Sequence, residues 1–252
     1  MRSGVISVHH TSTAGSNKWL LSEPNKDSQA RIFCLPYSGC GASMYRLWPK
    51  FFGDIEICPV QLPGRESRVR DRGYESYEDL VKDMLEELSP YFDKDFAFFG
   101  HCGSALIAYE ATLQLQTKGI CIPKRLFISS QVAPHEGPFG RFLHLTDEEL
   151  RIELEIITKK MGGVPIQDLL DFQVSILCKD IGMNKRYSDK EIVQLVSPLV
   201  TFGWTNDSEI NPNQMTGWSQ YGEVSQHLIE GDHYQFLSAP EEFVKIIQGS
   251  MK

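Results

Sequence analysis

The sequence predicts an α/β protein with a mostly parallel sheet covered by helices on both faces, and three observations carry that prediction. Short apolar runs of strand length alternate with helical stretches along most of the chain, as crossover-connected parallel strands require. One run, Phe96-Ala97-Phe98-Phe99, breaks without a spacer into Gly100-His101-Cys102-Gly103-Ser104 and then into a helix-forming stretch containing Ala105, Leu106, Ala108, Tyr109 and Ala111. Polar and ionisable residues stand just past later strand ends, at Asp207 and His233, which would lie along one edge of a parallel sheet.

In chain order, residues 1–16 read as a loose polar arm, and Lys18–Leu21 as a short segment that docks on the body. Arg31–Leu35 is a buried strand that closes in Pro36-Tyr37-Ser38-Gly39-Cys40-Gly41, and a helix is expected over Ser43–Phe52. Asp54–Gln61 is the next strand, followed by an arginine-rich loop with Arg65, Arg68, Arg70 and Arg72. Tyr77–Leu88 carries Leu80, Val81, Met84, Leu85 and Leu88 on one helical face. After the Phe96–Phe99 strand and its helix, Arg125–Ser130 is a further buried strand. Residues 146–187 then interrupt the alternation. Thr146–Glu149 reads as a capping box, Leu150–Lys160 and Ile166–Lys179 as helices, and Gly162-Gly163 between them as a hinge, so the segment is expected to be a helical lid. Strands follow at Pro198–Gly203 and Val224–Ile229, and a closing helix at Pro240–Gln248.

Composition narrows the function. The chain has 252 residues, 41% hydrophobic and 23% charged, the profile of an ordinary globular protein, and one domain over 1–252 is expected. A net charge of −8 argues against a nucleic-acid partner. No apolar run approaches the ~18 residues of a membrane helix. The N-terminus lacks the apolar block of a secretory signal, and the six cysteines show neither metal spacing nor a paired framework. A cytoplasmic monomer with no metal and no cofactor of its own is the expectation.

The strand-to-helix break at Cys102 has the form of the nucleophile elbow of the α/β-hydrolase fold, written Gly-x-Cys-x-Ser where Gly-x-Ser-x-Gly is usual. At the start of a helix, exposed N–H groups and the helix dipole favour a thiolate. In that fold the partners follow in the order acid, then histidine. His233 after the last strand is the expected base, and Asp207 after the strand before it the expected acid, with Glu209 and Asp180 as alternatives. The oxyanion-binding N–H groups are expected from Gly103 and from the Tyr37-Ser38-Gly39 loop. His101, beside the nucleophile, reads as structural.

Four ordered motifs, Pro36-Tyr37-Ser38-Gly39, Gln61-Leu62-Pro63-Gly64-Arg65, Gly100–Ser104 and Gly231-Asp232-His233, resemble those of the type II thioesterases that accompany nonribosomal peptide and polyketide synthases. The resemblance covers about residues 17–248. It implies oxyanion donors at Ser38 and Gly103, and hydrolysis of an acyl group from the phosphopantetheine arm of an acyl or peptidyl carrier protein. With that partner, Arg65, Arg68 and Arg70 are expected to dock an acidic carrier. The sequence departs from the family pattern at the nucleophile and at Ser104, and some members similar to this family use cysteine to shuttle aminoacyl groups between carriers. Transfer through a Cys102 thioester is therefore the alternative activity, and a carrier-binding protein without catalysis the second alternative.

Overall fold

Side chains that alternate along the central strands sort into two apolar layers, one on each face of a sheet. The computed structural model describes residues 17–160, 162–187 and 191–252. The expected arm at 1–16, and Met161 in the interruption between the lid helices, lie outside the described residues. In β1 (Ala30–Cys34) and β4 (Asp95–His101), Phe33, Phe96 and Phe98 enter one layer, while Ile32, Cys34, Ala97 and Phe99 enter the other. That is the period-two alternation of a strand covered on both sides. The first layer is completed by α1 (Tyr77–Leu88) and α2 (Gly103–Thr117), the second by α5 (Glu241–Ser250) and by the helices of the insertion.

Among the described residues, seven strands form the sheet in the order β2-β3-β1-β4-β5-β6-β7, with β2 (Phe51–Phe52), β3 (Ile55–Pro59), β5 (Arg125–Ser129), β6 (Leu199–Trp204) and β7 (Val224–Ile229). All neighbours are parallel except β2 against β3. Parallel pairing has one consequence that matters for chemistry: the C-terminal ends of β1, β4, β5, β6 and β7 share an edge, and the loops leaving them converge there.

The predicted helix over Ser43–Phe52 is not formed. A short 3₁₀ turn, Ala42–Leu47, is followed by extended backbone at Trp48 (ψ 138°) and the two-residue strand β2. Pro49 explains the stop, since the residue before a proline is driven out of the helical region. Pro212–Tyr221, given no element in the sequence reading, is a 3₁₀ run that buries Met215, Trp218 and Tyr221.

The insertion consists of α3 (Asp147–Lys160) and α4 (Gln167–Arg186), the latter seven residues longer than its predicted end at Lys179. Asp180, Ile181, Met183 and Asn184 lie in that extra length and are buried. Tertiary contacts therefore hold the last turns in place. Thr146 and Glu149 form the capping box, with Thr146 N–H donating to Glu149 at 2.8 Å. Trp19 and Leu20 are buried, and the Trp19 carbonyl accepts from Gln61 N–H at 2.7 Å, so the docking segment is in place. Among the described residues, no helix is long and apolar enough to cross a membrane.

Candidate active site

Crowding at the end of β4 fixes the position of Cys102. A Cβ on Gly100 would lie 2.4 Å from the Ser104 carbonyl oxygen, so only glycine admits the helix that close to the strand. Cys102 has φ 53° and ψ −132°, a conformation costing an ordinary residue about 1–3 kcal/mol and common at reactive positions. Ser104 stands in the place of the second glycine, and its hydroxyl closes on the turn, accepting from His101 N–H at 3.0 Å and donating to the His101 carbonyl at 2.9 Å. Cys102 is 8% exposed at the start of α2.

The loops from β6 and β7 bring their residues to the same place. His233 Nδ1 stands 3.0 Å from both carboxylate oxygens of Asp207. Asp207 is fastened in turn by the Ser130 hydroxyl at 2.6 Å and by the N–H groups of Glu209 and Ile210 at 2.8 and 3.0 Å. Burial alone would raise the Asp207 carboxyl, but the His233, Ser130 and Ile210 bonds outweigh it and hold it below the usual carboxylate range. Burial alone would lower His233. Its hydrogen bonds with Asp207 and Cys102, and the Cys102 and Glu209 charges, push it instead up to about 10, which favours the protonated ring.

With Nδ1 taken by Asp207, Nε2 faces the nucleophile. Cys102 Sγ, a Glu209 carboxylate oxygen and a His233 ring nitrogen lie within 4.8 Å of one another. Thiolate, carboxylate and imidazole could together hold a zinc-like ion, although they are also the atoms that nucleophilic chemistry needs free. Of the three carboxylates expected as candidates for the orienting acid, Asp207 is the one on His233 Nδ1. Glu209 Oε2 lies on the other side of the ring, 3.7 Å from Nε2, and Asp180 is in the insertion, bonded to Arg65.

Ser38 and Gly103 are neighbours: a Cβ on Gly103 would come within 2.7 Å of Ser38 Oγ. As the first residue of α2, Gly103 has no intrahelical acceptor for its N–H. In the opposite loop, Tyr37 N–H is taken by Met44 Sδ, Gly39 N–H by Asp180 and Cys40 N–H by the Tyr37 carbonyl. The geometry thus brings Cys102, His233, Asp207, Ser38 and Gly103 together.

It does not bring the arginines. Arg65 donates to both oxygens of Asp180, at 2.8 and 2.7 Å, and to the Cys40 carbonyl. Arg68 donates to Asp71 and to the Gln61 carbonyl and lies over the Trp19 ring. Both guanidinium groups are buried and internally bonded, which corrects their expected place on a docking surface. Arg70 and Arg72 are exposed.

The sequence reading missed several residues. His101 is more than structural padding: its Nε2 lies 3.2 Å from His233 Nε2, and burial, then the His233 charge, keep its pKa far below the ordinary value. Neutral His101 can therefore accept the His233 proton's hydrogen bond while its Nδ1 pairs with Ser129 Oγ at 2.8 Å. Ser130, Arg141 and Asn184 also reach the site, and no local pattern marks them.

A thioesterase-domain family model matches residues 30–251. The chain belongs to the thioesterase family. Among relatives of this thioesterase, the gramicidin S biosynthesis protein GrsT of Aneurinibacillus migulanus is 30% identical over 92% of this chain and 93% of its own. The RedJ thioesterase from the prodiginine pathway of Streptomyces coelicolor is 29% identical, with a TM-score of 0.75, over 88% of this chain and 91% of that one. The type II thioesterase BorB of the borrelidin cluster, at 23% identity and a TM-score of 0.80 over 94% and 99% of the two chains, shares the fold. This thioesterase therefore has the α/β-hydrolase fold, and family membership makes it an enzyme acting on acyl thioesters.

Proposed function

We propose that this thioesterase is of type II and removes acyl groups from the phosphopantetheine arm of a carrier protein in nonribosomal peptide or polyketide synthesis, through Cys102, His233 and Asp207. The observation that carries the reading is the strained Cys102 at the elbow, beside a His233 ring whose far nitrogen rests on Asp207. The Cys102 thiolate attacks the thioester carbonyl and forms a new C–S bond. Charge moves to the carbonyl oxygen, in reach of the Ser38 and Gly103 N–H groups. The old C–S bond then breaks, and the pantetheine sulfur leaves with the His233 proton. His233 next takes a proton from water, which cleaves the Cys102 ester and releases the acid. A cavity of about 370 Å3 between the oxyanion loop and the insertion, with Met44, Leu154, Ile157, Phe172 and Ile176 among its walls beside Arg65 and Glu66, and with Cys102 outside it, has the size to take a chain or arm. By their names, GrsT, RedJ and BorB belong to the gramicidin S, prodiginine and borrelidin biosynthetic pathways, and BorB is a type II thioesterase.

Cysteine supports a second reading, transfer between carriers. A serine ester lies below the incoming thioester in energy, so return to a thiol is uphill, whereas a Cys102 ester is itself a thioester and exchange with a second thiol is nearly isoenergetic. The test uses acyl-loaded carrier, with and without an unloaded second carrier, and follows intact masses. For a hydrolase, free acid appears at the same rate in both, and Cys102→Ser still turns over. For a transferase, acyl moves to the second carrier faster than to water, and Cys102→Ser stalls as an acyl-enzyme. Failure of Cys102 to acquire acyl mass under any condition would overturn both readings.

A further inference from the structure

The space left at the nucleophile is very small. The cavity whose walls include Ser38, Cys102, Gly103 and Glu209 measures about 20 Å3, room for one water-sized body and not for an acyl chain. Two of those walls supply metal-ligand atoms: Cys102 Sγ and a Glu209 carboxylate oxygen lie with a His233 ring nitrogen within 4.8 Å of one another. The His233 and Glu209 side chains are 1% and 3% exposed, so this is no cluster of solvated surface acids.

We propose that Cys102, His233 and Glu209 take a single zinc ion, and that the ion switches the enzyme off reversibly. Zinc bonds of about 2.0–2.3 Å to oxygen, nitrogen and sulfur set tetrahedral ligand-to-ligand edges of about 3.3–3.6 Å. Glu209 Oε2 and His233 Nε2 already stand 3.7 Å apart. The other two separations are at most 4.8 Å, so a small turn of the Cys102 side chain completes the triangle. The ligands are also aimed from behind. Asp207 holds His233 Nδ1 at 3.0 Å, the carboxylate support that metal-bound imidazoles usually have. Tyr234 OH donates to Glu209 Oε1 at 3.3 Å and Arg141 Nε lies 3.5 Å from the same oxygen, which leaves Oε2 facing the ring. Glu209 therefore keeps both partners when the metal binds.

Ligand chemistry selects the ion. Thiolate and imidazole suit zinc, whereas magnesium and calcium want oxygen ligands alone. Thiolate and carboxylate bring two negative charges, matching the charge of the ion, so a buried complex is not left with an uncompensated dication. Binding sends to solvent whatever proton the sulfur and Nε2 hold. The bound ion then occupies both the sulfur that attacks the thioester and the nitrogen that carries the proton, so attack and proton transfer stop together. It is a removable block and not a cofactor. A serine elbow lacks the thiolate, so the site goes with Cys102.

The test titrates the whole chain, freed of metal by a chelator, with Co2+ and then with Zn2+ as competitor. One equivalent of Co2+ should produce a thiolate-to-cobalt absorption that Zn2+ removes and Mg2+ does not. Cys121 and Cys178 are half-buried thiols, so Cys102→Ala must abolish that absorption for it to be assigned. Zn2+ should also protect Cys102 from iodoacetamide, read on its own peptide by mass spectrometry, and chelator should restore labelling. Asp207→Asn should weaken zinc binding by about 10–100-fold, the usual effect of losing the support behind a metal-bound histidine. Glu209→Gln, which removes a direct ligand at constant shape, should weaken it by more. Equal zinc affinity in wild type and Glu209→Gln overturns the three-ligand site, as does the absence of the cobalt absorption or of protection in the wild type. Faster release of acid from an acyl-carrier thioester on adding Zn2+ overturns the off switch. The binding readouts use no substrate, so their failure leaves the Cys102 reaction standing, and failure of Cys102 to take an acyl group leaves the metal site standing.

Discussion

Arg65 and Asp180 form a buried, two-pronged ion pair that ties the loop after β3 to the last turns of α4, and Asp180 Oδ2 also accepts the Gly39 N–H at 2.8 Å. One carboxylate thus holds the insertion and the oxyanion loop to each other. Asp180→Asn should lower kcat by up to about 10²-fold with little change in KM, since it loosens the loop that carries an oxyanion donor. It should also destabilise the protein, because removing one partner of a buried pair costs about 3–5 kcal/mol. Denaturant unfolding and steady-state kinetics on the same samples check both. Unchanged kcat in a destabilised variant would make the pair purely structural.

The side of the His233 ring that a carboxylate occupies sets its role. Cys102→Ala and His233→Ala should each abolish turnover of an acyl-carrier thioester. Asp207→Asn should fall by about 10⁴ and stay above background, as loss of the orienting acid typically does. If Glu209→Gln lowers kcat on every acyl group while Asp207→Asn is mild, Glu209 is the orienting acid.

The raised pKa of His233 makes two pH predictions. A group whose folded pKa lies above its unfolded value stabilises the fold fully below the unfolded value. That contribution is lost as pH rises through the folded one. The His233 contribution should thus be complete below about pH 6.5 and vanish toward about pH 10, so the stability gap between wild type and His233→Gln should narrow over that window. Iodoacetamide should meanwhile label Cys102 readily at pH 6 in wild type and slowly in His233→Gln, where no imidazolium stands beside the sulfur. Slow labelling of both proteins would favour a carrier-binding protein without catalysis.

Arg70 and Arg72 are the members of the arginine-rich loop left in solvent. Reversing both to glutamate should raise KM for a carrier-bound substrate and leave that for acyl-pantetheine unchanged. Exposed pairs are worth about 0–1 kcal/mol each, so for two arginines the shift should be within roughly thirtyfold. An equal rise for both substrates would show that the loop docks nothing.

The sequence by itself determined the alternation of strands and helices, the elbow at Cys102 and the order of Cys102, Asp207 and His233. These are local signals: a strand of alternating apolar residues, a glycine where strand and helix crowd, and polar residues placed just past strand ends. Parallel pairing then brings those ends to one edge, so local placement translates into a shared site. The helix expected over Ser43–Phe52 failed for a local reason too, the effect of Pro49 on Trp48. What only the tertiary structure decided is which charges face one another. Arg65 finds Asp180 across 115 residues, Arg68 folds under Trp19, and Asp207 and Glu209 take opposite sides of the same imidazole. In sequence those arginines are equivalent, and the two carboxylates are two residues apart in one loop. Their roles part only when the backbone turns between them and burial makes each choice of partner costly to reverse.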